Sequence, residues 1–327
     1  MKIAFRVDAN QLSGFGHFSR CINLCRTWYQ SGKLAQVCFV GNYNDFALQV
    51  LNKYKMEYSK VNCEDFSLLY NDKLLNFDVV VFDSYYIKQD SLDAIANSSY
   101  KSILIDDECL YDYNGIDIAV NFRFDAEKLY QYNASHQLLG IQYFVVKPEL
   151  VQLRKNNLTK QAKGLNKLLM FSGGAFSDNE FMEEIISCVN EYLPKAEVTL
   201  IAKEPFNKKR AIYKLMKPAF DIENTLMQTD AVINGGGIIK YESSYSLIPT
   251  ASFSTTLLQF EDSKILSRHG VHFDLGLLEE LSKKRILKQL SNFLLDDNLR
   301  TNLINTSKEV YSTDPTQYLV NRLNDLL

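Results

Sequence analysis

The chain has 327 residues and a net charge of −3, from 36 Lys+Arg against 39 Asp+Glu, which is length enough for two domains of ordinary size, each with its own core. Hydrophobic residues make up 46% and charged residues 23%, the balance of a globular protein. Such a balance excludes the basic footprint of a nucleic-acid or anionic-membrane binder, while a compact anionic ligand needs only a local cluster of donors.

No apolar run approaches the roughly 20 residues that span a bilayer. The start, Met1-Lys2-Ile3-Ala4-Phe5-Arg6-Val7-Asp8, is too short and too soon charged for a signal peptide. The expectation is a cytoplasmic protein, and a monomer, since no unexplained apolar stripe is evident. Six cysteines (Cys21, Cys25, Cys38, Cys63, Cys109 and Cys188) form no Cys-x-x-Cys pair, and several sit in apolar segments as reduced, buried thiols would.

In chain order, short β-branched or aromatic runs alternate with helical patterns, the signature of parallel sheets covered by helices. Lys2–Val7, Gln36–Val40, Phe77–Phe82, Ser102–Ile105 and Ile116–Val120 read as strands. Between the first two, Cys21, Leu24, Cys25 and Trp28 recur at helical spacing and predict a helix over Phe18–Gln30. The polar, basic stretch Arg154–Lys163 reads as a linker, which divides the chain into residues 1–153, a linker at 154–165, and residues 166–327. Beyond it the pattern restarts with strands at Lys167–Phe171, Glu197–Ile201, Ala231–Asn234 and Pro249–Phe253. A helix is predicted from near Asp178 or Asn179, another over Ile238–Leu247, and Leu278–Leu295 and Leu299–Leu327 read as helical. Ligands of open parallel sheets bind outside the carboxyl ends of the strands, so two such domains are expected to present their loops to one cleft.

Two glycine loops carry the chemistry. Gly14-Phe15-Gly16-His17-Phe18-Ser19 lacks the third glycine of a dinucleotide fingerprint, and the second strand ends in Val40-Gly41-Asn42 without a ribose-binding acid. There is no Gly-x-x-x-x-Gly-Lys-Ser/Thr loop and no Gly-x-Ser-x-Gly elbow, which excludes a P-loop kinase and argues against a serine hydrolase. What the loop offers is a histidine at a helix N-terminus, where the dipole favours neutral imidazole, a proton acceptor. A helix-start residue bonded to backbone is the plainer reading of His17. Asn234-Gly235-Gly236-Gly237 lies between a strand and a helix, an arrangement in which several N–H groups can converge on a phosphate. Glu242, inside that helix, has the reach to accept from ribose hydroxyls, and a tight turn with Glu242 on a solvated face is the alternative. Ser172-Gly173-Gly174 is a shorter loop of the same kind.

Asp106-Asp107-Glu108 ends a strand, where neighbouring side chains diverge, so a substrate-facing or loop-capping role is expected ahead of a metal site. His269, His272 and Asp274 are spaced as ligands but have no cysteine or further histidine nearby, and His136 sits in a polar stretch. No metal and no cofactor is expected.

At these residues the chain resembles a known family, the UDP-sugar hydrolase of pseudaminic acid biosynthesis (PseG), related to the GT-B glycosyltransferases. The likeness is densest in Phe5-Arg6-Val7-Asp8 and Gly14-Phe15-Gly16-His17 with Arg20 one turn later. It continues through Phe82-Asp83-Ser84-Tyr85, Ile105 to Glu108, Asp117 to Asn121, Leu139-Gly140, Tyr143 and Ser172-Gly173-Gly174. The segment Gly235 to Glu242, then Leu247-Ile248-Pro249 and Gln259, extend it close to Gly276. The resemblance implies two Rossmann-like domains facing a cleft and metal-independent, inverting hydrolysis of UDP-2,4-diacetamido-2,4,6-trideoxy-β-L-altropyranose to UDP and free sugar. On that resemblance His17 is the base that activates water, Asp8 orients the loop or the imidazole, and Tyr85 lies near the sugar. Gly235, Gly236 and Gly237 hold the pyrophosphate and Glu242 the ribose. Gly14, Gly16, Arg20, Asn121, Ser172, Gly173, Gly174 and Gln259 complete the substrate site. The chain departs from the family where Ser84 replaces histidine, Leu258 replaces asparagine, and Ile238 and Ile239 replace serine or threonine. A glycosyltransferase, with an acceptor hydroxyl in place of water, and a binding protein that has lost its chemistry are the alternatives.

Overall fold

In the computed structural model the apolar runs pair in parallel and build two separate sheets. The structure describes the chain apart from residues 11–12, 14, 62–73, 85, 160–163, 172–177, 203–204, 206–211, 218–221, 280–281 and 312. Of the expected site residues, Gly14, Tyr85, Ser172, Gly173 and Gly174 lie outside the described residues, as does Cys63. Among the described residues no helix is long and apolar enough to cross a membrane.

The chain divides into two units, Met1–Pro148 with Thr313–Leu327, and Glu149–Ser312. In the first, the strands are β1 (Lys2–Arg6), β2 (Gln36–Gly41), β3 (Glu57–Lys60), β4 (Val79–Asp83), β5 (Lys101–Ile105), β6 (Ile118–Asn121) and β7 (His136–Leu139). The helices are α1 (Gly16–Gln30), α2 (Asp45–Lys53), α3 (Gln89–Ala96) and α4 (Ala126–Leu129). The sheet order is β3-β2-β1-β4-β5-β6-β7, so the chain reverses direction across the sheet between β1 and β4. The central strand β4 is buried at every position, as a strand covered on both faces must be. On one face of the sheet Val80, Phe82 and Leu104 pack against Leu92 and Ile95 of α3.

The second unit begins in α5 (Pro148–Leu158) and continues with β8 (Lys167–Phe171), α6 (Asn179–Tyr192), β9 (Glu197–Ile201), β10 (Lys214–Met216), α7 (Glu223–Leu226) and β11 (Ala231–Asn234). After these come α8 (Ile239–Tyr245), β12 (Thr250–Ser254), α9 (Leu257–Arg268), β13 (Phe273–Leu277), α10 (Lys283–Leu295) and α11 (Asp297–Val310). The order β10-β9-β8-β11-β12-β13 repeats the doubly wound plan, with its reversal between β8 and β11. The core joins Met170, Val198, Leu200, Ile233 and Phe253 to Phe181, Ile185 and Ile186 of α6 and to Ile286 and Phe293 of α10.

Two boundaries differ from the sequence expectation, each for a physical reason. The C-terminal segment is two helices: α11 ends at Val310, and α12 (Pro315–Leu326) restarts behind an Asp314 N-cap with proline at its first position. This last helix counts with the first unit. Trp28 Nε1 of α1 donates to Asn324 Oδ1 at 3.0 Å, Val146 N donates to Thr316 Oγ1 at 2.7 Å, and the Tyr143 and Tyr318 rings meet at a tilt of 31° with centroids 5.4 Å apart.

Arg154, expected to open the linker, lies inside α5 and is 3% exposed. Its guanidinium donates to the carbonyls of Tyr245 at 2.7 Å, Ser307 at 3.1 Å, Lys308 at 3.2 Å and Tyr311 at 3.1 Å. It thereby satisfies the orphan carbonyls at the end of α11 and one from α8. An aliphatic side chain leaves those buried carbonyls unpaired, so Arg154→Met is expected to cost about 3 kcal/mol of unfolding free energy. Urea denaturation followed by circular dichroism measures it; an unchanged midpoint would show that water replaces the guanidinium there.

Candidate active site

In the first unit the α1 N-terminus follows β1, and Asp83 ends β4, so both stand at the carboxyl edge where the winding reverses. Asp83 is completely buried, and a lone carboxylate there is prohibitively costly unless cations meet it. Arg20 meets it with two parallel bonds, Nε to Oδ2 at 2.7 Å and Nη2 to Oδ1 at 2.6 Å. His17, one helical turn before Arg20, brings Nδ1 to Asp83 Oδ1 at 2.5 Å. The i, i+3 spacing of His17 and Arg20 puts both on the face of α1 that covers β4. Arg20 Nη1 reaches Asp107 at 3.2 Å, and the guanidinium lies over the Phe122 ring at 4.9 Å.

These contacts assign the imidazole tautomer. A carboxylate oxygen only accepts, and the His17 Nδ1 contact with Asp83 Oδ1 at 2.5 Å is shorter than the 3.1 Å from Arg20 Nη2 to Nδ1, so it is read as an N–H donated to the carboxylate. In the neutral ring of that tautomer the lone pair is on Nε2. The imidazole is 11% exposed, held at the surface of the network with its orientation fixed from behind.

Burial pushes the Asp83 carboxyl up, but the charges and hydrogen bonds of Arg20 and His17 outweigh it and hold the group below its ordinary range.

The carboxylate in contact with the His17 imidazole is Asp83, whereas the contacts of Asp8 are at the strand ends. Asp8 Oδ1 pairs with Arg6 Nη1 at 2.6 Å and accepts from Asn42 N at 2.8 Å, tying the end of β1 to the end of β2. Gly16 begins α1, and a Cβ there would meet nothing within 4 Å. Asn121 is fully buried with its amide engaged: Oδ1 accepts from Arg123 N at 3.0 Å and Nδ2 donates to Tyr132 OH at 3.0 Å. It shapes the loop after β6.

The acidic run splits in function. Asp107 joins Arg20. Asp106 caps its own loop, accepting from Glu108 N at 3.2 Å, Cys109 N at 2.9 Å and Tyr113 OH at 2.6 Å. His136 opens β7 and is exposed.

In the second unit the glycines follow β11 at the corresponding edge. Gly235 N donates to Phe171 O at 2.9 Å, continuing the ladder, and Gly236 N donates to Asn234 Oδ1 at 2.9 Å. Two of the three expected phosphate donors are therefore already engaged. Among the described residues, no acceptor is recorded for the N–H groups of Gly237, Ile238 and Ile239, which head α8.

Gly236 and Gly237 both have φ of 85°, the left-handed region. A Cβ on Gly236 would lie 2.9 Å from Cδ of Gln259 and displace that side chain, and the left-handed φ disfavours any other residue there. Gln259 is held by Thr255, whose N and Oγ1 donate to Oε1 at 3.0 and 2.9 Å. Glu242 is 8% exposed inside α8.

A buried ion pair that sequence reasoning passed over locks this arrangement. Lys240 Nζ meets Asp262 Oδ2 at 2.7 Å and Ser263 Oγ at 3.0 Å, while Tyr241 OH donates to Asp262 Oδ1 at 2.5 Å. Consecutive residues of α8 thus grip one carboxylate of α9. The signal was a lysine inside an otherwise apolar Ile-Ile-Lys-Tyr segment.

His272 is buried against Ser252 Oγ at 2.8 Å, and burial reinforced by the Lys240 charge pushes its pKa well below the usual histidine range. Asp274 accepts from Gly276 N at 3.0 Å, and His269 caps α9. Among the described residues no cluster of three metal-binding side chains occurs.

No protein-family model matches the chain. An uncharacterized protein of Methanocaldococcus jannaschii, MJ1062, is 26% identical over 288 residues, covering 80% of this chain and 57% of that protein. The chain thus spans just over half the length of that relative. Among solved structures, Acinetobacter baumannii MurG superimposes with a TM-score of 0.65 at 12% identity, over 99% of this chain and 100% of that one. An S. aureus MnaA–UDP co-structure gives 0.67 at 12% identity, covering 100% and 98%. The spinosyn rhamnosyltransferase SpnG with thymidine diphosphate gives 0.63 at 12%, covering 99% and 100%. The fold is the two-domain, Rossmann-like GT-B fold.

The Asp83 network sets an acid limit. Its folded carboxyl titrates below the unfolded value, so its stabilisation is complete above the ordinary aspartate pKa of about 4 and is lost as pH falls through the folded value. The stability gap between the wild type and Asp83→Asn is therefore expected to be widest at neutral pH and to narrow on acidification to about pH 3. Thermal melts across that range measure it; a gap independent of pH would mean that Asp83 is not the ionised centre of the network.

Proposed function

We propose that the chain is an inverting, metal-independent enzyme of nucleotide-activated sugars that transfers the glycosyl group to an acceptor hydroxyl. The observation that carries this reading is the Asp83–His17 pair at the winding reversal, with its lone pair on Nε2. His17 Nε2 takes the proton of the acceptor hydroxyl as its oxygen bonds to the anomeric carbon. The bond from that carbon to the phosphate oxygen breaks, and the nucleoside diphosphate leaves from the opposite side. Asp83 stabilises the imidazolium that forms, in the manner of an acid–histidine dyad, and Arg20 keeps Asp83 ionised and in place.

The second unit is the proposed holder of the leaving group. Main-chain N–H groups at Gly237, Ile238 and Ile239, with the Gln259 amide, are suited to the charge developing on a diphosphate. Glu242 is proposed for the ribose. The UDP and thymidine diphosphate named with the MnaA and SpnG structures support a diphosphate ligand for this fold.

A second reading, hydrolysis of a UDP-activated 2,4-diacetamido-2,4,6-trideoxyhexose in pseudaminic acid biosynthesis, is favoured by the Phe5-Arg6-Val7-Asp8 and Gly14-Phe15-Gly16-His17 likeness. There water takes the place of the acceptor hydroxyl, and the same residues act.

Incubation with a panel of UDP-sugars, with NMR following the anomeric proton and the released nucleotide, separates the two. Release of UDP that depends on an added acceptor supports transfer, and equal release without one supports hydrolysis. His17→Asn is expected to lower kcat by about 10²–10⁴-fold, the usual worth of a general base, with UDP affinity unchanged. Full turnover by that variant would remove His17 from the mechanism.

Gly236→Ala is expected to displace Gln259 and to weaken UDP binding at least about tenfold, one lost charge-assisted contact, as measured by calorimetry. Unchanged affinity would remove this loop from the nucleotide site.

A further inference from the structure

We propose that the outer faces of α6 and α10 form a self-complementary interface through which two copies of this chain pair. The inference is independent of the nucleotide-sugar reading, because these helices cover the sheet face away from α8 and α9. Ala251 and Phe253 of β12 pack into the core under α6 and α10, whereas Ser252 and Ser254 bond to Ser263 of α9 on the opposite face.

Charge is segregated between the two helices. α6 carries Glu180, Glu183, Glu184 and Glu191 and no lysine or arginine. α10 carries Lys283, Lys284, Arg285 and Lys288 and no aspartate or glutamate. The α6 carboxylates recur at helical spacing opposite the core stripe of Phe181, Ile185 and Val189. On α10 Lys284, Arg285 and Lys288 are exposed, while Ile286, Leu290 and Phe293 are buried.

The helices run side by side, head next to head. Lys283 Nζ, at the start of α10, meets Oδ2 of Asp178, the N-cap of α6, at 3.1 Å. Further along, Cys188 Sγ lies 3.9 Å from the Leu287 carbonyl oxygen. Above this contact the rims stay apart across a groove of about 730 Å³, with the α6 carboxylates on one wall and Lys288 on the other. Among the described residues, none of the four α6 glutamates, nor Lys284 or Lys288, has a salt-bridge partner.

A second observation points outward. Cations in the first turn of a helix oppose its dipole, yet α10 opens on three of them. Asp178 answers Lys283, and Arg285 acts on Asp274 of β13, which leaves Lys284 to be answered from outside the chain.

Symmetry identifies what can answer it. A two-fold axis lying along the groove sets α6 of each copy on α10 of the other, heads together, and every contact occurs twice. Glu180 and Glu184 then meet Lys284 and Lys288 of the second copy. At the other end Tyr192, 40% exposed, comes onto Leu295, 61% exposed. An axis across the helices sets α6 on α6 and α10 on α10, like charge on like, so charge selects the first arrangement. The attraction needs no apolar stripe, which is why the sequence pattern suggests a monomer. Helices of 14 and 13 residues give a face only about 20 Å long, and exposed ion pairs are each worth little. The expected dimer is therefore weak, with a Kd of about 10 μM, and sensitive to salt.

Sedimentation equilibrium of the full chain at about 100 μM, in about 0.05 M and about 0.5 M salt, tests this. A dimer is expected in low salt, with association weakened at least about tenfold in high salt. A monomer in low salt, or a dimer indifferent to salt, would overturn the interface. Two charge-reversed chains test its geometry, one with Glu180→Lys and Glu184→Lys, the other with Lys284→Glu and Lys288→Glu. Each alone is expected to be monomeric, and an equimolar mixture to form a one-to-one heterodimer. A homodimer of either variant, or no heterodimer from two chains whose circular dichroism matches the wild type, would also sink it. The wild-type salt comparison needs no variant and stands even if a substitution perturbs folding.

Discussion

A carboxylate with no exposed surface organises the first unit. Asp83 sits at the end of an entirely apolar strand, where an unpaired charge would cost more than the domain's stability allows. Its partners must therefore come from the element packed against that strand, which is the first turn of α1. That single requirement fixes the rotation of α1, places Arg20 on Asp107, and leaves His17 at the outer end of the network with a defined tautomer. The geometry of the His17–Asp83–Arg20 network is a by-product of satisfying a buried charge.

The second unit solves the same problem at its own winding reversal with different chemistry. Its loop after β11 uses backbone N–H groups, and its buried charges, Lys240 and Asp262, lie behind the loop between α8 and α9. A buried ion pair contributes little net stability but tolerates few alternative arrangements. Here Lys240 Nζ also donates to the Gln259 carbonyl at 3.4 Å, and a Cβ on Gly236 would come within 2.9 Å of the Gln259 side chain. The division of labour suits nucleotide-sugar chemistry: a base must be oriented to a fraction of an ångström, whereas a diphosphate is well served by several fixed dipoles.

The strands predicted from sequence are the interior ones, and the four strands it missed, β3, β7, β10 and β13, are the edges of the two sheets. The reason is burial. Interior parallel strands are covered on both faces and read as continuous apolar runs, as Val-Val-Val-Phe does in β4, whereas edges such as Glu-Tyr-Ser-Lys and Lys-Leu-Met are short and polar. The helix starts at α1 and α6 were legible from a glycine turn and an aspartate cap. Arg154 was read as linker because its composition is polar, although its four carbonyl partners come from residues 91 to 157 positions away. His17 was visible as a histidine at a helix start, but the carboxylate that orients it was not, because 66 residues separate them. Partners so distant leave no local pattern. The available clue was chemical: an aspartate ending an apolar strand needs a cation, and Arg20 at i+3 from His17 supplies one.

The base in the proposed mechanism does not by itself distinguish water from a sugar hydroxyl, since both present an O–H of similar acidity to Nε2. What distinguishes them is what else touches the acceptor. Water needs only exclusion of competitors, whereas an acceptor alcohol needs a surface that binds its remainder. The departures at Ser84, Leu258, Ile238 and Ile239 alter such surfaces and leave the Asp83 network intact. Leu257 and Leu258 are 68% and 62% exposed at the start of α9, and Ile238 is 37% exposed beside the glycines. Exposed apolar groups at the ligand edge of a sheet reduce the number of polar groups that can hold isolated waters, and they add area for an organic ligand. On the proposed reading the chain combines a base network suited to either nucleophile with a periphery shifted toward carbon-rich ligands. That combination is better matched to an acceptor alcohol than to water.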